Sequence, residues 1–238
     1  MRSFLARYPV QILSRTLGAD NMIPKFADNR DPNSLASRMR SSRNEEFRAA
    51  IDALPRPLNI LDVGGRETVW ETIGFVNEQD IRITLLNLEH IKPSYQNVVS
   101  VLGDARDMHI FHDGQFDVVY SNSVIEHLGS IEDMRKMAGE IQRVGKRYFL
   151  QTPYLYFPIE PHFVFPLFQF LPISWRVFLV RHFNLGWIGR IQEPVRAERE
   201  IRSIKLLSKT QLHSLFPDAA IKEEKIFGVT KSLLAIKL

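Results

Sequence analysis

The chain has 238 residues, 45% of them hydrophobic, a formal net charge of +4 and no cysteine. That length carries one domain with a sizeable core plus an elaboration, and the lack of thiols excludes disulfides and thiolate metal sites. The charge is uneven, with 6 basic and 14 acidic residues over 59–142 against 11 basic and 4 acidic over 143–209; the later arginines are interleaved with bulky apolar residues rather than glycine or serine, so no nucleic-acid partner is expected.

In chain order, the first residues have neither a long apolar core nor a small-residue cleavage pattern, which argues against a secretory signal and for a cytoplasmic protein. Residues 1–57 read as an N-terminal helical extension. Ser34 is placed to cap a helix whose apolar face runs through Leu35, Met39, Phe47, Ile51 and Leu54 before Pro55 and Pro57 stop it. The plain role of such a helix is to cover a sheet edge; the sharper one is that Arg38 or Arg40 meets a ligand carboxylate.

From residue 58 the pattern alternates. Apolar runs near 58–63, 82–88, 97–102, 116–120 and 147–151 read as buried parallel strands, with helices near 67–77 and 130–143. Two strands near 220–227 and 232–238 close the chain after a short helix opened by Ser208. Several strand ends finish in small or acidic residues: Asp62-Val63-Gly64-Gly65, Asn87-Leu88-Glu89, Gly103-Asp104-Ala105 and Ser121-Asn122. A glycine turn lets backbone approach a ligand closely, and a carboxylate at the second strand's tip can accept from both ribose hydroxyls, so this edge suits an adenosine cofactor.

On these residues, together with Trp70, the segment Ser121-Asn122-Ser123-Val124-Ile125-Glu126-His127 and the segment Thr152–His162, the chain resembles the class I S-adenosylmethionine-dependent methyltransferases, closest to the type 11 small-molecule branch. The resemblance implies an α/β fold: a Rossmann-like seven-stranded sheet, mostly parallel with an antiparallel last strand, helices on both faces, within a methyltransferase domain over 58–238. It implies S-adenosyl-L-methionine as cofactor, held by Asp62, Gly64 and Gly65 at the first loop, Glu89 at the ribose, Asp104 and Ala105 at the adenine, and Ser121 and Asn122 beneath the sulfonium. One departure stands out. Where the family has GxGxG, this chain has Gly64-Gly65-Arg66-Glu67-Thr68, a loop ill suited to a pyrophosphate and so adverse to a nicotinamide dinucleotide.

Residues 152–207 form an insertion between the fifth and sixth strands, dense in phenylalanine and broken by prolines. Its uncharged stretch from 161 to 175 is too short and too interrupted to span a bilayer. The plain reading is a helical cap packed on the domain; a substrate lid, or peripheral contact with a membrane surface through 157–190, is the alternative, since Trp175, Arg176, Arg181, His182, Trp187 and Arg190 mix aromatic and cationic groups.

For proton removal from an acceptor the candidates are His162 and His127. Glu126 and His127 are adjacent and by themselves a poor ligand pair, so no metal is expected. The expected reaction is methyl transfer to a small-molecule, sugar or lipid-linked acceptor, favoured at oxygen because no (N/D)PPY-type segment follows the fourth strand. The rival readings are a nicotinamide oxidoreductase and a non-catalytic module of the same fold that docks on a membrane or a protein partner.

Overall fold

The structure, a computed structural model, describes residues 31–238. Its main sheet contains β1 (Leu58–Val63), β2 (Ile81–Asn87), β3 (Val98–Leu102), β4 (Val118–Asn122), β5 (Tyr148–Pro153), β8 (Ala220–Ile226) and β9 (Val229–Lys237) in the order β3-β2-β1-β4-β5-β9-β8. The pairs β1–β2, β2–β3, β1–β4 and β4–β5 are parallel, and β9 is antiparallel to both β5 and β8. The seven-stranded sheet with a closing hairpin is as expected from the sequence. In such sheets the ligand crevice lies where the strand order reverses, here between the C-terminal tips of β1 and β4.

Alternation along β1 divides the core. Leu58 and Ile60 face a layer with Trp70, Tyr120, Phe149 and Phe47, while Leu61 and Val63 face one with Met134, Ile141, Leu212 and Phe216. The first layer belongs to α1 (Leu35–Asp52) and α2 (Glu67–Ile73), the second to α3 (Ile131–Val144) and α6 (Lys209–Leu215). Helices thus cover both faces. The hydroxyl of Ser34 accepts from the Ser37 N–H at 3.0 Å and caps α1, though residues 1–30 of the expected N-terminal extension lie outside the described residues. Helix α2 stops at Ile73, shorter than the apolar pattern suggests, because Gly74 takes a left-handed conformation at φ 86° and turns the chain.

The segment after β5 has its own small core of Phe163, Phe168, Val180, Ile191, Ala197 and Ile201. It contains a two-residue hairpin of β6 (Ile159–Glu160) and β7 (Phe165–Pro166), followed by α4 (Ile173–His182) and α5 (Pro194–Ser203).

Candidate active site

The first loop is shaped by close approach. Gly64 has φ +76°, and a Cβ on it would come within 2.7 Å of Val124 Cγ2. A Cβ on Gly65 would lie 1.6 Å from Asp62 Oδ2. Asp62 is fully buried beneath the turn: its Oδ2 accepts from Trp70 Nε1 at 2.8 Å, and Oδ1 has no partner among the described residues. Burial pushes its carboxyl up to about 7 despite the indole hydrogen bond. Asp62 therefore ties the β1 tip to α2 from behind the loop. Arg66 and Thr68, which stand where the family has glycine, need no glycine: Arg66 is extended at φ −137° at the N-cap position of α2, and Thr68 lies inside that helix.

Across the crevice, Ser121 sits opposite Val63 in register and donates to its carbonyl at 3.3 Å, fixing the two tips to each other. Asn122 accepts through Oδ1 from Arg43, whose Nε donates to Glu224 at 2.8 Å. Arg43 is the residue that sequence reading missed. It lies one helical turn before Phe47 on the buried face of α1, whereas Arg38 is exposed. Arg40 and Lys231 approach the same spot. Burial and repulsion by Arg43 lower the pKa of both, so three cations gather near the β4 tip, with Glu224 paired to Arg43 and close to Lys231.

Glu89 is exposed two residues beyond β2. Asn87, just before it, donates through Nδ2 to the Gly65 carbonyl at 3.0 Å and couples the second tip to the first loop. Asp104 is partly buried, with Ala105 beside it, and its two oxygens accept four contacts from Arg106, from the backbone N–H at 2.9 Å and from Nε and Nη2. This fork holds the Asp104 carboxyl below its ordinary value and takes the lone pairs with which a carboxylate would meet an adenine amino group.

The two predicted histidines come together. Their rings meet edge to face with centroids 4.8 Å apart, and Glu126 joins them. Glu126 is fully buried; its Oε2 accepts from Thr152 Oγ1 at 3.0 Å while Oε1 has no partner among the described residues, and burial raises its carboxyl to about 7. Burial, with His162 nearby, lowers His127 to about 3 and keeps it neutral. Burial also pulls His162 down, but the carboxylates of Glu160 and Glu126 outweigh it and its pKa is raised. Glu160, itself buried, accepts His162 Nδ1 at 2.7 Å through Oε1 and the N–H groups of His162 and Phe163 at 2.8 and 2.7 Å through Oε2.

This geometry can be set beside known proteins. The family model described as "Methyltransferase domain" matches residues 78–148, the stretch from the approach to β2 into β5. That match covers less than a third of the chain. No curated protein sequence matches it. Among solved structures, the CurJ carbon methyltransferase aligns with a TM-score of 0.53 at 11% identity over 86% of this chain and 55% of that one, a likeness of fold. A putative O-methyltransferase from Nostoc punctiforme aligns at 0.46 and 10% identity over 85% of this chain, which spans 58% of that protein's length. A SAM-dependent methyltransferase from Aquifex aeolicus aligns at 0.47 and 12% identity, covering 84% and 91%. S-adenosylmethionine is the cofactor that the sequence resemblance implies. The residues here fit it: a glycine turn with no room for a Cβ, a carboxylate just past the second strand, and cations beside the β4 tip.

Proposed function

We propose that the protein transfers the methyl group of S-adenosylmethionine to an oxygen of a small-molecule, sugar or lipid-linked acceptor. One observation carries this reading: the turn at Gly64 and Gly65 follows β1 and Glu126 and His127 follow β4, the two strands that meet at the reversal of strand order, with His162 joining them from beyond β5. The cofactor, when bound, supplies an activated methyl on a sulfonium. The chain's own residues then have three tasks. The loop and Glu89 position the nucleoside, and Arg40 and Arg43 beside Asn122 supply positive charge for the methionine carboxylate. The histidine cluster receives the acceptor hydroxyl, a neutral imidazole and a carboxylate-backed imidazole being groups that orient an O–H toward the methyl.

A lipid-linked acceptor is supported by the outer face of the cap. Trp175 is 63% and Phe178 52% exposed on one side of α4, with Arg181 and Arg190 nearby donating to backbone carbonyls rather than carboxylates. No helix among the described residues is long and apolar enough to cross a membrane. Peripheral contact at the inner face of the membrane by an otherwise cytoplasmic protein suits such a surface.

Calorimetric titration with S-adenosylhomocysteine tests the reading. Saturable binding that Glu89→Ala weakens at least tenfold, with an unchanged melting temperature, is expected; a flat trace would leave a non-catalytic module of this fold. Labelled-cofactor transfer to polyprenyl-linked glycans, quinone precursors and free sugars then identifies the acceptor.

A further inference from the structure

Three side chains that lie 36 residues apart at most in sequence converge on one small space, and each brings an atom with nothing to bind. Glu126 Oε1 is buried and unpartnered, the His127 ring makes no hydrogen bond among the described residues, and His162 has Nδ1 committed to Glu160, which leaves Nε2. Their ligating atoms lie within 4.8 Å of one another. A chain does not ordinarily leave a buried carboxylate oxygen empty beside two imidazoles, because its desolvation goes uncompensated.

The structure assigns to Glu126, His127 and His162 a binding site for a first-row divalent cation such as zinc. The donor set of one carboxylate and two imidazoles suits that class of ion and not calcium or magnesium, which take all-oxygen shells. Bonds of about 2.0–2.2 Å would bring the ligand atoms to roughly 3.4 Å from one another, so side-chain shifts on the order of 1 Å close the site. The surroundings are those of a built site. Glu160 holds His162 through Nδ1 at 2.7 Å, the carboxylate–histidine support that orients a metal-bound imidazole, and Thr152 holds the second oxygen of Glu126. His127 and His162 are only partly buried, which leaves a way in for an ion and for an oxygen of the acceptor.

The role of the site rests on the methyltransferase reading. Glu126 and His127 follow closely on the β4 tip at Asn122, and His162 lies beyond the end of β5. A cation held there would lower the pKa of a bound acceptor hydroxyl, so that its proton would leave to solvent near neutral pH. The oxygen lone pair then forms the O–CH3 bond, and the pair of the breaking S–CH3 bond returns to sulfur, leaving a neutral thioether. His127 and His162 thus serve as ligands, and no free histidine base is needed.

Metal-stripped full-length protein titrated with zinc, and separately with cobalt, tests the site. One equivalent of zinc should bind at micromolar affinity or tighter, and cobalt should give visible absorption bands of a low-symmetry site. Glu126→Gln and His162→Gln should each weaken zinc at least tenfold, and Glu160→Gln, which touches the ion only through His162, by about 10–100-fold; His213→Ala on α6 should change nothing. Circular dichroism identifies any variant that fails to fold, in which case the wild-type cobalt spectrum and Glu160→Gln decide. Absence of saturable binding, or binding undiminished in Glu126→Gln and His162→Gln, overturns the site. A parallel titration with S-adenosylhomocysteine separates the two readings: cofactor binding without zinc removes the metal alone, and zinc at these residues without cofactor binding removes the transferase role and leaves the site standing.

Discussion

Asp62 carries a charge cost that the crevice is built around. Its carboxyl is buried under Gly65 with one indole donor, and its pKa in the folded protein is about 7 against an ordinary 3.8. A carboxyl raised on folding keeps its proton in the folded state when the unfolded chain has lost it. Its stabilising contribution is therefore complete below pH about 4 and is lost as pH rises through 7. In denaturant melts of the unliganded protein Asp62 should lower stability by on the order of 4 kcal/mol across that window, and Asp62→Asn should remove that share of the slope while leaving the share of Glu126, whose carboxyl burial also raises to about 7. A slope unchanged in the variant would assign the pH dependence to other groups. Trp70→Phe, which removes the single donor, should cost about 1–3 kcal/mol in the same melts, more at pH 8 than at pH 5. The placement of Asp62, Gly64, Gly65, Ser121 and Asn122 at the tips of β1 and β4 is legible in the sequence because consecutive residues at a strand end share one local geometry. The engagement of Asp104 by Arg106 is not, since a family motif says what a carboxylate meets in relatives and nothing of a neighbouring guanidinium that takes its lone pairs.

Helix α1 fastens the hairpin of β8 and β9 to the cofactor side of the sheet. Arg43 bridges Glu224 on β8 and Asn122 on β4, Ser232 on β9 donates to the same Glu224, and Lys222 on β8 pairs with Glu46 at 2.6 Å. The Arg43 and Ser232 contacts are largely buried, so they outweigh the exposed Lys222 pair, which is worth a few tenths of a kcal/mol. Arg43→Ala strands a largely buried Glu224 and should lower stability by about 3 kcal/mol and weaken S-adenosylhomocysteine about tenfold. Arg38→Ala, on the exposed side of the same helix, should alter neither; urea melts and calorimetry read both. Equal effects from the two variants would remove the bridge from the argument. The helix itself is readable from its cap and apolar spacing, yet its function depends on residues 79 and 181 positions away. The same distance explains the histidine cluster. His127 and His162 are visible as chemical groups, but that they share one space with Glu126 follows from β4 and β5 lying side by side. Within the cap, proline breaks and an apolar character on all sides of α4 erase the periodicity by which its helices could be delimited.

At the scale of the whole molecule, the puzzle is why α4 is apolar on both sides. Its inner face packs Val180 into the cap core, while Trp175 and Phe178 stand outward and Phe170 and Leu167, just before it, are 50% and 52% exposed. Exposed aromatic groups on one short segment cost solubility unless something covers them. Charge selects the cover: the stretch 143–209 carries 11 basic residues to 4 acidic, and Arg181 and Arg190 have no carboxylate partner among the described residues. An anionic lipid surface matches both features, with aromatic rings at the headgroup level and guanidiniums at the phosphates. The protein should cosediment with vesicles containing anionic lipid, less with neutral ones, and less as salt rises. Trp175→Ser with Phe178→Ser should reduce the bound fraction at least tenfold without moving the melting temperature or the affinity for S-adenosylhomocysteine, because neither side chain supports the sheet or its crevice. If the wild type instead self-associates in solution and the double variant is monomeric with unchanged lipid binding, a second copy of the chain covers this face and the membrane reading falls.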